Sequence, residues 1–169
     1  VKNAMDYLKQ RTSKNVNYIL EIPETEIHAQ LSVPLFEWVI ENICKNAVDA
    51  MDGKGEFKVT IIDIPEGVAI DLADTGKGIP KSKHKSVFKP GYTTKKRGWG
   101  LGLSLCKRII ENYHDGKIFV LKSDDKGTTF RIVLKRGWFL FLMHPLIEKV
   151  FFFYFFAAVG VITNSFLFY

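Results

Sequence analysis

The residues after Ser32 restrict the fold most. Phe36, Val39, Ile40, Ile43, Ala47 and Ala50 recur at steps of three and four. That spacing gathers them on one stripe of a long helix, which must bury the stripe against a partner layer. Ser32 is placed as its N-cap and Pro34 fits the first turn, where a missing N–H is harmless. Met51-Asp52-Gly53 ends it. The partner layer follows. Residues 57–64 and 68–74 flank Pro65-Glu66-Gly67, a hairpin signal, and residues 117–122 and 128–135 read as a second hairpin. A strand at 17–22, stopped by Pro23, and a short strand at 26–31 come before the long helix. Residues 2–11 have the pattern of a helix end. A second helix is expected at 101–113, with Leu101, Leu105 and Ile109 in register and Cys106 and Ile110 on its flank. The fold class expected is α/β, a two-layer sandwich with helices on one face of a mixed, mainly antiparallel sheet.

The chain has 169 residues, enough for one domain with a core and an appendage. It begins at Val1 and reads as a piece of a longer protein. Residues 1–14 are expected to be the end of a preceding helix or linker, and 15–136 the domain. Composition breaks after Arg136. From Gly137 to Tyr169 the only formal charges are Glu148 and Lys149, and 150–169 is an uncharged, phenylalanine-rich run of 20 residues. As a helix that run spans about 30 Å, one hydrocarbon core. Two readings stay open: a membrane segment with a cytoplasmic N-terminal side, and a translated frameshift or fusion scar. The net charge of +6 fits nucleic acid, an anionic membrane surface or a polyphosphate ligand without choosing among them. Cys44 and Cys106 lie at apolar helical positions with no metal-binding spacing, as in a reducing compartment.

Two stretches carry chemistry. An apolar strand ends at Asp74, followed at once by Gly76, Gly78 and a proline in "DLADTGKGIP". Further on, Gly98, Gly100 and Gly102 alternate in "RGWGLGLSLCKRII", directly before a helix. Such glycines admit unusual dihedrals and close backbone approach, and free N–H groups at a helix start favour phosphate. The pattern is neither a P-loop nor the dinucleotide fingerprint. In the long helix, Asn42, Asn46 and Asp49 share one side, at steps of four and three. Surface asparagines are the ordinary explanation. The functional one is that Asn46 offers a neutral oxygen to a hard cation such as Mg²⁺. Residues 79–100, rich in lysine and punctuated by glycine, read as a long mobile loop.

Together these stretches resemble the catalytic ATP-binding domain of sensor histidine kinases. "ENICKNAVDAM" resembles the N box, "DTGKGIP" the first glycine box, "VFKPGYTTK" the phenylalanine box and start of the ATP lid, "GWGLGLSLCKRIIE" the second glycine box and "KGTTF" the last. Their order and spacing agree over about residues 15–136. The resemblance implies the Bergerat-type fold, shared with type II topoisomerases, mismatch-repair ATPases and a heat-shock chaperone. It implies that Asp74 accepts a hydrogen bond from the adenine amine, with Gly76 and Gly78 admitting the base and Thr128 supporting the pocket. It implies that Asn46 coordinates Mg²⁺, that Asn42 and Asp49 lie on the nucleotide side, and that Lys95 approaches the phosphates. Gly98, Gly100, Leu101 and Gly102 would serve the closing lid. Asn42, Asn46 and Lys95 are the implied catalytic set, and ATP and Mg²⁺ the implied cofactors.

Two departures stand out. Gly91-Tyr92 replaces the two phenylalanines common in the lid, and Trp99 lies inside the glycine box, where it could pack on the lid or reach a partner. None of His28, His84, His114 and His144 has the context of a phosphoacceptor. The implied function is transfer of the γ-phosphoryl of MgATP to a histidine on a dimerisation domain outside these residues, in two-component signalling. The implied partners are that domain and a response regulator, with no nucleic acid. The implied setting is bacterial, a cytoplasmic domain in a homodimer, with a membrane link through the tail on the first of the two readings of 150–169. The alternatives are an ATP-hydrolysing switch of the same fold and a nucleotide-binding interaction module.

Overall fold

A computed structural model describes residues 9, 14–24, 27–95 and 98–136. The readings of 137–169 as membrane segment or scar lie outside the described residues, as does the expected helix end at 2–11 except Lys9, which is helical. Strand β1 (Val16–Glu21) leads into helix α1 (Val33–Ala50), then β2 (Gly55–Ile64) and β3 (Gly67–Asp74). Helix α2 (Gly102–Arg108) runs on into a π-helical turn at Ile109–Tyr113, and β4 (Lys117–Asp124) and β5 (Gly127–Lys135) complete the order. The five strands form one sheet in the order β1-β2-β3-β5-β4. β1 pairs parallel with β2 because α1 carries the chain across between them, and the other three pairings are antiparallel. This is the mixed sheet with helices on one face that the periodicity called for.

Helix α1 packs its expected stripe. Phe36, Val39, Ile40, Ile43 and Ala47 are buried against alternate residues of the strands, among them Phe57, Val59, Ile70, Leu72 and Ile132. Burying each large apolar side chain stabilises by about 1.5–3 kcal/mol, and this one layer holds the sheet and helix together. Ser32 has the extended backbone of an N-cap, but its side chain makes no cap bond. Its backbone N–H donates instead to His114 Nε2 at 2.9 Å, while His114 Nδ1 donates to the Ile109 carbonyl at 3.0 Å. Both ring nitrogens are engaged, so His114 is a structural tie between α1 and the end of the second helical segment. Cys44 and Cys106 are fully buried, and burial pushes their thiols up to about 11 and about 12.

Two expectations on local structure are corrected. Among the described residues of the short strand at 26–31, only Ala29 pairs, in an isolated bridge with Arg136. This segment meets the end of β5 at one point and does not run alongside a strand. The register expected for the second helix is also shifted. Leu101 and Leu105 are exposed, while Cys106, Ile109 and Ile110 are buried and Leu103 packs on the core. Cys106, Ile109 and Ile110 stand at i, i+3 and i+4, an ordinary helical stripe, and the core takes this face instead of the one through Leu101 and Leu105.

Candidate nucleotide-binding site

Three chain segments border one side of α1. Asn42 lies at the start of α2: a Cβ on Gly102 would sit 2.7 Å from its Oδ1. Its Nδ2 donates to the Trp38 carbonyl at 3.4 Å. One turn on, Asn46 Oδ1 accepts from Lys95 Nζ at 2.9 Å, and Asp49 Oδ2 accepts from the same ammonium. At the end of the helix the Ala50 carbonyl accepts the Lys77 N–H at 3.1 Å, and a Cβ on Gly76 would meet that carbonyl carbon at 2.7 Å. From Asn42 to Ala50 this edge is about 12 Å long at 1.5 Å per residue, and both glycine-rich stretches of the sequence flank it.

Asp74 ends β3 as expected, and it is 9% exposed. Its Oδ1 accepts two backbone N–H groups, from Gly76 at 2.8 Å and Thr128 at 3.3 Å. Oδ2 has no donor among the described residues. Burial raises the carboxyl above its usual range, and the bonds from Gly76 and Thr128 oppose that rise. One oxygen is thus fixed by the backbone, and the other is held as an acceptor in poorly solvated surroundings. That arrangement suits a single donor from a ligand.

The loop after Asp74 cannot hold its own shape and is held from outside. Lys77 is tied to α1, and the Ile79 N–H donates to Ser123 Oγ at 2.7 Å. Gly78 has a φ of +71°, and a Cβ there would lie 1.7 Å from the Asp124 carbonyl oxygen. The β4–β5 hairpin therefore presses directly on this loop. Thr128 is placed where expected, beside Asp74 in the ladder, with its Oγ1 2.8 Å from Ser123 Oγ. Sequence reasoning missed Ser123. Its only sequence signal is a hydroxyl five residues before Thr128 across a turn containing Gly127, which any tight hairpin could show.

The loop over 79–100 is more built than its polarity suggested. Short 3₁₀ turns form at Lys81–Lys83 and Ser86–Phe88, and Val87 and Phe88 are buried, Phe88 edge-on to Phe130 at 6.0 Å. Gly91, the departure from the family pattern, has a structural counterpart in Gly100. The Gly91 N–H donates to the Gly100 carbonyl at 3.0 Å, and a Cβ on Gly100 would lie 2.5 Å from the Gly91 carbonyl carbon. The two ends of the lid are joined backbone to backbone, so a bulky pair at 91–92 is not needed to close it. Trp99 is 88% exposed, and Leu101 is half exposed beside it in sequence. Gly98 has a φ of +155°, and a Cβ there would make only ordinary contacts, 3.7 Å from Thr93 Oγ1 and 3.9 Å from the Lys95 Cβ.

The donor set near Lys95 fits a hard cation. Asn46 and Asp49 already hold one cationic group, the Lys95 ammonium, with two oxygens. Among the described residues no cluster of three or more His, Cys, Asp or Glu offers a metal a site of its own. A cation here would need most of its ligands from water and phosphate, which is how Mg²⁺ binds. Among the described residues no helix is long and apolar enough to cross a membrane.

Residues 32–137 match the family described as Histidine kinase-, DNA gyrase B-, and HSP90-like ATPase. Sporulation kinase C of Bacillus subtilis is 38% identical over 96 residues, 57% of this chain and 22% of that protein. The chain thus spans about a fifth of the length of that curated relative. The nucleotide-free catalytic domain of histidine kinase ThkA superposes with a TM-score of 0.72 at 27% identity, covering 80% of this chain and 89% of that one. ThkA in complex with response regulator protein TrrA gives a TM-score of 0.69 at 25% identity, covering 80% and 39%. With the five-stranded sheet, the acceptor at the end of β3 and the glycine stretches along α1, these matches place the chain in the histidine kinase-, DNA gyrase B- and HSP90-like ATPase family, with the fold of a histidine kinase catalytic domain.

Proposed function

We propose that residues 15–136 are the catalytic ATP-binding domain of a bacterial sensor histidine kinase, which passes the γ-phosphoryl of MgATP to a histidine on a dimerisation domain. The observation that carries this reading is the edge of α1, with the buried Asp74 carboxylate beyond one end and the oxygen pair of Asn46 and Asp49 on the Lys95 ammonium in the middle. Asp74 Oδ2 takes the adenine amine, Gly76 and Gly78 leave room for the ring, and Thr128 steadies the carboxylate through its N–H. Asn46 and Asp49 are the residues that would hold Mg²⁺, with Asn42 beside them. When bound, the metal neutralises phosphate charge. Lys95 leaves the oxygen pair and turns to the phosphates as a point charge. Gly98, Gly100, Leu101 and Gly102 bring backbone up to the triphosphate as the lid closes. Phosphoryl transfer asks the protein mainly for positioning and charge, and these residues supply both.

Kinase and hydrolase readings differ at one position. A water-activating carboxylate in this fold would stand one helical turn before Asn46, and Asn42 stands there. An amide cannot serve as a base at neutral pH. Glu41 lies about 100° around the helix and pairs with Lys45 at 2.6 Å. With radiolabelled ATP, the chain should release phosphate very slowly alone. Given the dimerisation domain of a related kinase, it should place an acid-labile label on that domain's histidine. Brisk phosphate release with no such label would favour the switch-ATPase reading.

Asn46→Asp gives a second test. The change is nearly isosteric and adds a carboxylate next to Asp49, both on the Lys95 ammonium. Thermal stability without ligand should stay close to the parent while Mg-nucleotide affinity changes. A large stability loss with unaltered nucleotide binding would make Asn46 a packing residue. Partners follow from the same reading. The acceptor lies on a dimerisation domain in a homodimer, and a response regulator takes the phosphoryl onward, as the ThkA–TrrA complex suggests for ThkA. The domain then works in the cytoplasm, with residues 150–169 as its membrane link, supported by their length and lack of charge.

A further inference from the structure

We propose that Ser123 is a positioning residue for nucleotide selection, orienting the Thr128 hydroxyl so that the purine end of the site presents only hydrogen-bond acceptors. The proposal rests on the reading of Asp74 as the adenine acceptor and extends it to a residue outside the family boxes. A hydroxyl has one proton and two lone pairs. Ser123 Oγ donates its proton to the Gly127 carbonyl at 3.1 Å and accepts the Ile79 N–H at 2.7 Å. Its remaining capacity is one lone pair, and Thr128 Oγ1 lies 2.8 Å away. With the Ser123 proton on the Gly127 carbonyl, Thr128 is the donor of this bond, and its own oxygen keeps only lone pairs for a ligand.

The ladder puts this pair where the base is read. Asp74 faces Thr128, and Thr128 faces Ser123, across β3, β5 and β4. All three side chains lie on the helix-covered face of the sheet, in phase with buried Leu72, Phe130 and Ile132. The Thr128 N–H also donates to Asp74 Oδ1 at 3.3 Å, so Ser123 holds the backbone that sets the Asp74 rotamer. With Thr128 oriented this way, Asp74 Oδ2 and Thr128 Oγ1 are both acceptors. An exocyclic amine satisfies such a site, whereas a 6-oxo purine turns lone pairs against lone pairs. Without Ser123, Thr128 Oγ1 can rotate its proton toward the ligand, and the penalty against the 6-oxo group falls.

The experiment is calorimetric titration of the chain with Mg-ATP and with Mg-ITP, which differ at the purine 6-position. The parent should prefer ATP. Ser123→Ala should reduce the ATP-to-ITP preference about five- to tenfold, the worth of one net hydrogen bond. Ser123→Thr, which keeps the hydroxyl, should restore most of it. Thr128→Val should lose a similar factor, and the double variant should lose little more, because Ser123 acts through Thr128. If Ser123→Ala does not fold, Ser123→Cys keeps the volume with weaker hydrogen bonding and bears the same expectation. An unchanged ATP-to-ITP ratio in a folded Ser123 variant, whatever its melting temperature, overturns the proposal, and so do fully additive losses in the double variant. Equal affinities for ATP and ITP in the parent would overturn the adenine reading of Asp74 itself and the proposal with it.

Discussion

Asp74→Asn should weaken ATP binding by roughly 1–3 kcal/mol, a factor of about 5 to 150, while leaving the unliganded protein at least as stable as the parent. The geometry dictates which atom changes. Oδ1 accepts the N–H groups of Gly76 and Thr128, so an asparagine must keep its oxygen there. Its amide nitrogen then faces the adenine amine, donor against donor. Stability moves the other way because burial raises the Asp74 carboxyl. Between the ordinary carboxylate value and the raised one, the folded state binds more protons than the unfolded state, so this group lowers stability as pH rises through that window. A neutral amide removes that penalty. The nucleotide needs the ionised form, so parent affinity should fall on acidification through the raised value, starting above the usual carboxylate range. The variant should lack that component, and the ligand's own titration is common to both proteins and cancels. Calorimetry with ATP and GTP across pH is the measurement. Equal affinities for the two nucleotides in the parent would sink the assignment.

Gly78→Ala should cost about 3 kcal/mol or more of folding stability and remove nucleotide binding with it. The new Cβ would have to occupy a point 1.7 Å from the Asp124 carbonyl oxygen, at a φ of +71°. Backbone cannot yield as a flexible side chain does. The hairpin must move off the loop, and the bond from Ile79 to Ser123 is lost with it. Gly91→Ala is the control. Its φ is +81°, but among the described residues nothing lies within 4 Å of the added Cβ, so it should cost only the strain of a left-handed residue, about 1–2 kcal/mol. Denaturant unfolding of both variants separates the two effects. Equal losses would mean that backbone strain alone, and not the carbonyl contact, makes Gly78 necessary.

The sequence by itself determined the helix with its buried stripe, the two hairpins and the motifs that name the family. Each is a local property: the stripe of α1 repeats within a turn, and Pro65-Glu66 joins β2 to β3 with no help from the rest of the chain. The polar residues Asp74, Asn46 and Thr128 were legible because they interrupt such patterns. What the tertiary structure alone decided depends on strand order. Once β5 lies between β3 and β4, Ser123 is brought to Ile79 and Thr128, Gly78 to Asp124, and Gly127 to Asp74. No periodicity encodes those meetings, because the partners are far apart in sequence and chosen by the sheet. The Lys95 contact with Asn46 and Asp49 is of the same kind. So is the buried face of α2, where Cys106, Ile109 and Ile110 turn to the core and Leu101 and Leu105 are left in solvent. Two neighbouring apolar stripes of that helix satisfy the helical period equally well, and only the packed structure shows which one is inside.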